Sequence, residues 1–203
     1  MKNNKPTVSG ITYKILCKLT ADLDVSNNKA TIANLRNSIG KPLSQSVNIF
    51  PLIFDNFPHE FLGKNIDLTC EEKAILNTLQ LFALYQQGNS ESAFNRNRDS
   101  EFQINMGSSL SVLRIGDDVK AVDRRFNAMI TAGTYEELIY HLRQMIKLLK
   151  SKTKLKKDVY INFPTLSNDL YWYLRGFEEQ IRLKWAKTYY STKVHSEGDN
   201  NND

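Results

Sequence analysis

The chain has 203 residues, 41% hydrophobic and 24% charged, with 27 Lys and Arg against 22 Asp and Glu and a formal net charge of +5. Such a length holds one substantial core or two small helical ones, and the composition is that of an ordinary soluble globular protein. No apolar run approaches the roughly 20 residues of a membrane-spanning helix, and MKNNKPTVSG lacks the apolar core of a signal peptide, so the expectation is a cytoplasmic protein without membrane contact.

From Pro6 to Leu19 the apolar residues Val8, Ile11, Ile15 and Leu19 fall on one face of a helix. A short second helix follows Ser26, with Ile32, Leu35 and Ile39 on one side, Arg36 flanking that stripe, and Gly40 and Pro42 closing it. NIFPLIFDNFPHEFLG is interrupted by Pro51 and Pro58 and reads as one or two short helices. Thr69 and Glu72 form a capping box, opening a helix through Ala74, Ile75, Leu79, Phe82 and Ala83 to Gly88 that is apolar nearly all round and therefore central. Residues 88–107 are polar and aperiodic, a long flexible loop in which Arg96 and Arg98 either touch phosphate or belong to a mobile connector. SSLSVLR then makes a short helix ending near Gly116.

Asp118 is the expected N-cap of a helix with Val119, Val122, Phe126, Met129 and Ile130 on one face and Lys120, Arg124 and Asn127 opposite. Thr134 and Glu137 form a second capping box, followed by the stripe Leu138, Leu142, Met145, Leu149. On that helix Arg143, Lys147, Lys150 and Lys154 recur every three or four residues and form one basic ridge if the helix runs that far. Within it Lys150 to Lys157 read as a solvated ridge and connector, adding long-range attraction. A helix with Leu166, Leu170, Tyr173 and Leu174 follows, then one over 177–190 with Phe177, Ile181, Trp185 and Tyr189 on one face. Residues 191–203 are too polar to fold alone and are read as a disordered acidic tail. The fold class is thus all-α: two small helical bundles packed together, residues 1–116 and a basic 117–190.

Charge is concentrated in the second half. Residues 1–113 carry 11 Lys and Arg against 10 acids, residues 114–193 carry 16 against 9, and the last ten carry three acids and no Lys or Arg. A basic half fits a phosphate-backbone binder, although lysines also keep helical surfaces soluble. Chemistry is otherwise sparse. His59, His141 and His195 stand in no metal-ligand spacing, phosphate-binding glycine loops and nucleophile elbows are absent, and Asp117-Asp118 and Glu136-Glu137 sit at helix starts, where the helix dipole favours acids. Neither an enzyme nor a cofactor is expected. Cys17 and Cys70 read as small buried apolar residues rather than a disulfide. Trp172, Tyr173, Trp185, Tyr189 and Tyr190 either stack on bases or pack the core, core packing being the better fit to their spacing and Trp172 the best exposed candidate.

The ordered motifs ATIANLRNSIGKP, LNTLQLFALYQQG, SSLSVLR, VDRRFNAMITAGTYEELIYHLRQMIKLL, TLSNDLYWYL and RLKWAKTYY resemble the CasB family, the small subunit of the type I-E CRISPR Cascade complex, over roughly residues 8–190. The resemblance implies a non-catalytic subunit of an RNA-guided antiviral surveillance complex. Its implied partners are the large and backbone Cascade subunits, a second copy of itself, guide RNA, target DNA and the displaced single strand of the R-loop. Carried onto this chain, backbone contact falls on Arg36, Arg124, Arg125 and Arg143, with Lys147 on the same ridge and Arg114 and Arg175 as further candidates. Arg125 is alternatively a salt-bridge partner of Asp123 or Asp169. Relatives often carry a second basic residue where this chain has Asn37. A different class of reading is a sequence-specific DNA-binding regulator using the helix pair around Ala132-Gly133 as a helix-turn-helix, but Thr134, Tyr135, Glu136 and Glu137 suit a major groove poorly.

Overall fold

The structure, a computed structural model, describes residues 5–23, 25–64, 67–94, 104–115, 118–153 and 159–191. Every regular element among them is helical, as the apolar spacings predict. The helices are α1 (Val8–Leu19), α2 (Ser26–Asn37), α3 (Phe50–Phe54), α4 (Cys70–Gln86), α5 (Met106–Ser111), α6 (Val119–Ile130), α7 (Tyr135–Thr153), α8 (Phe163–Leu174) and α9 (Glu178–Ser191), with two short 3-10 turns at Leu43–Gln45 and Val47–Ile49. None of these helices is long and apolar enough to cross a membrane.

α4 is the central element. Ala74, Ile75, Leu79, Phe82 and Ala83 are fully buried, and each large apolar side chain so buried contributes about 1.5–3 kcal/mol. Its capping box forms as expected: Glu72 N–H donates to Thr69 Oγ1 at 3.1 Å and Thr69 N–H to Glu72 Oε2 at 2.7 Å. α8 packs most extensively against α4 and α1. Cys70 Sγ lies 3.8 Å from Leu174 O and the Phe82 and Phe163 rings meet edge to face at 5.4 Å, so α8 runs antiparallel to α4. α7 runs parallel to it, with Lys73 against Glu136 at one end and Lys150 against Leu84 and Gln87 at the other. The expected boundary at 116–117 lies outside the described residues, and the buried apolar residues on both sides of it belong to one cluster.

Several local expectations are corrected. The Asp118 side chain does not cap α6; its carboxylate instead accepts from Lys152 at 2.5 Å, tying the start of α6 to the end of α7. The Thr134 hydroxyl accepts from Glu137 N–H at 3.1 Å, but Glu137 reaches back to Gly133 N–H at 2.8 Å rather than to Thr134. α5 begins at Met106, two residues before the expected SSLSVLR helix, capped by Asn105. Phe177 lies before α9 and is 44% exposed, leaving Ile181, Trp185 and Tyr189 as that helix's buried face. Cys17 and Cys70 are free thiols, half-buried rather than buried. Arg96, Arg98, Lys154 to Lys157, His195 and the tail from 192 lie outside the described residues.

Candidate nucleic-acid interface

The chain leaves α2 through Gly40, whose φ of +75° is strained for any residue with a Cβ. This turn brings the end of α2 alongside α7: a Cβ built on Gly40 would stand 3.8 Å from Arg143 Nη1. Arg36, one turn earlier, is half-buried and lies within electrostatic reach of Lys150. Lys147, one turn beyond Arg143, is exposed. Arg36, Arg143 and Lys147 therefore share one surface, and among the described residues none has a carboxylate partner; Arg143 rests 5.8 Å from the Tyr140 ring centroid. Lys150 differs from the expected solvated ridge. Its ammonium donates to Leu84 O at 3.2 Å and to Gln87 O, satisfying carbonyls left open at the C-terminus of α4. Burial, and secondarily the nearby Arg36, hold its pKa below the usual lysine value.

The remaining candidates stand on other elements. Arg124 is exposed on α6 beside Lys120, and neither has a charged partner among the described residues. Arg125 is also exposed and touches Asp118 only electrostatically. The pairings considered for it are taken by others. Asp123 accepts from Arg114 Nε at 2.9 Å, Arg114 Nη2 at 3.3 Å and Tyr189 Oη at 2.8 Å. Asp169 accepts from Lys184 at 2.6 Å and Trp185 Nε1 at 2.7 Å, and burial raises its pKa despite the adjacent ammonium. Arg114 is thus built into the fold, its side chain 12% exposed and its guanidinium 5.3 and 5.0 Å from the Tyr189 and Tyr190 ring centroids. Arg175 caps α8, exposed, 5.9 Å from the Tyr171 ring centroid. Of the aromatic candidates, Trp185 and Tyr189 are core, Tyr173 is buried, and Trp172 is 41% exposed with its ring edge-on to Phe177 at 5.1 Å.

Sequence reasoning missed Lys41 and Arg182. Lys41 stands in the same NSIGKP run as Gly40 and lines, together with Arg143, a cavity between α2, α4 and α7, a position visible only once α2 and α7 meet. Arg182 donates to Ala132 O at 2.6 Å and to Tyr173 Oη at 2.9 Å, anchoring the α6–α7 turn to α8 and α9. The first turn of α7 is likewise committed: Tyr135 is buried and donates to Asn77 Oδ1 at 3.0 Å, while Glu136 pairs with Lys73 at 2.6 Å. A recognition helix must offer that first turn to a DNA groove, and here it faces α4. Among the described residues no group of three or more His, Cys, Asp or Glu is placed to hold a metal ion.

Comparison with known proteins gives a consistent neighbourhood. A family model described as CRISPR-associated protein Cse2 matches residues 31–190. The solved structure of CasB from Thermobifida fusca is similar with a TM-score of 0.68 at 20% identity, covering 90% of this chain and 97% of that one. CasB from M. ruber is similar with a TM-score of 0.66 at 21% identity, covering 92% and 94% respectively. No curated protein matches significantly. At such identities the structures speak for the fold, while the sequence model reaches across most of the chain.

Proposed function

Because the chain belongs to the CRISPR-associated Cse2 family, and is accordingly a subunit of a CRISPR Cascade complex, we propose that it is a non-catalytic part of the type I-E assembly that holds nucleic-acid backbone without reading sequence. In this reading it steadies the guide-target hybrid and the displaced strand of the R-loop. Its partners are the large and backbone subunits, a second copy of itself, guide RNA and target DNA. The observation that supports this best is the surface made by Arg36, Arg143 and Lys147, cations gathered by α2 and α7 without a carboxylate among the described residues to neutralise them. Like charges held together repel, and a polyanion relieves that repulsion while releasing its own counterions. R-loop formation exchanges one duplex for another of similar stability, so a few such contacts shift the balance.

The test is the double variant Arg36→Glu, Arg143→Glu, purified within the assembled complex. R-loop lifetime on matched target DNA is expected to fall on the order of tenfold or more. An unchanged lifetime with the variant subunit present in the complex removes these residues from the interface.

A further inference from the structure

Between the turn after α2, the middle of α4 and the first turns of α7 lies a cavity of about 300 Å³. Ile39, Leu43, Ile49, Leu76 and Ile139 give it apolar walls. Its polar side is a relay in which each group donates to the next: Tyr135 Oη to Asn77 Oδ1 at 3.0 Å, Asn77 Nδ2 to Gln80 Oε1 at 3.0 Å, Gln80 Nε2 to Ser38 Oγ at 2.9 Å, and Ser38 Oγ to Leu35 O at 2.7 Å. The relay fixes both amides in orientation, and each retains one amide hydrogen that the relay does not use. Lys41, Lys73 and Arg143 also line the cavity. Glu136 neutralises Lys73, which leaves Lys41 and Arg143 as the net positive groups.

We propose that this cavity receives one nucleobase of a single strand whose phosphates lie on Arg143 and Lys41, an inference that rests on the backbone-binding reading above. Arg143 belongs both to the ridge and to the cavity lining, so a strand following the ridge passes the opening. A nucleotide carries the two chemistries the cavity offers to meet: an anionic phosphate for the cations, and a flat, weakly polar ring whose carbonyls or ring nitrogens accept from Asn77 and Gln80. The volume is at the small end of ligand sites, about 300–1,000 Å³, suited to one base rather than a larger molecule. Continuity with the ridge favours a base over a segment of a protein partner. No base identity is selected, since the amides provide donors that any base with a ring carbonyl or nitrogen can use.

The full chain is tested with two single strands of equal length, oligo(dT) and its abasic counterpart, by fluorescence anisotropy at fixed salt. Wild type is expected to bind oligo(dT) about tenfold more tightly, the abasic strand retaining the phosphate contacts alone. Leu43→Trp, which fills the cavity from a surface turn, is expected to erase that preference and leave the abasic affinity unchanged. Ile139→Trp fills the same space from α7 and gives the same result should the first variant not fold. Equal, salt-sensitive binding of both strands by wild type overturns the base site and leaves the backbone reading standing, whereas binding of neither strand overturns both. A preference that survives both filled variants places the base elsewhere and overturns the proposal. Filled variants that keep wild-type DNA binding but drop out of the assembled complex assign the cavity to a protein segment and also overturn it.

Discussion

Arg114 and Arg124 have the same chemistry and are both candidates for backbone contact, yet their surroundings give them opposite work. Arg114 makes a two-point bond to Asp123, which Tyr189 also addresses, and lies over two tyrosine rings. Removing one partner of such a partly buried pair leaves a carboxylate short of its donors. Arg114→Ala is therefore expected to cost about 2 kcal/mol in urea unfolding, and Arg124→Ala to stay within about 0.5 kcal/mol. Arg124→Ala should weaken nucleic-acid binding in the folded protein, with both properties measured on the same preparations. If Arg114→Ala unfolds at the wild-type urea concentration, the clamp is not structural. The sequence offers no way to sort these two residues, because the sorting depends on α9 arriving beside α6. Tyr189 and Asp123 are 66 positions apart, and periodicity within one helix is silent about partners at that range. Asp169 is likewise met by Lys184 from the next helix rather than by Arg125, a pairing that the spacing within α6 does not show.

Among the helices, α5 shows how a weak local signal becomes a firm element. Six residues are too few to hold a helix in water, so α5 depends on what it packs against. A Cβ on Gly107 would lie 2.0 Å from Trp185 O and 2.4 Å from Thr188 Oγ1, so only glycine lets α5 press its backbone onto α9. Asn105 secures the contact by capping α5, accepting from Gly107 and Ser108 N–H at 2.8 and 3.3 Å and from Thr188 Oγ1 at 2.6 Å. Gly107→Ala must separate the two helices, an overpacking change expected to cost about 2–3 kcal/mol. Calorimetric unfolding close to that of wild type would show that α5 can lift away freely. The sequence assigns Gly107 to a loop because its reason for being glycine lies on another helix. Where the cause is local the sequence is a good guide. The α7 stripe Leu138, Leu142, Met145 and Leu149 is buried as its spacing requires, and Thr69 with Glu72 closes its capping box. Asp118 fails as a cap because a competing partner, Lys152, comes from a different helix.

At the scale of the molecule, the excess of positive charge in residues 114–193 is legible in composition, but the division of that charge between fold and surface is not. α7 carries both kinds within one basic row. Lys150 caps the end of α4, whereas Arg143 and Lys147 have no acidic partner among the described residues. Salt dependence separates them, because only cations that displace counterions from the strand enter the slope of log affinity against log salt concentration. Taking away one cation that meets a phosphate of a single strand reduces that slope by about 0.7. Arg143→Gln is accordingly expected to flatten the slope for single-stranded DNA by that amount while leaving thermal stability near that of wild type. Lys150→Gln should do the reverse, lowering the melting temperature through the uncapped carbonyls of Leu84 and Gln87 and leaving the slope unchanged. Equal slopes for wild type and Arg143→Gln place Arg143 off the strand. A flattened slope for Lys150→Gln means that this ammonium leaves its carbonyls when nucleic acid binds, and that the end of α4 is uncapped in the complex.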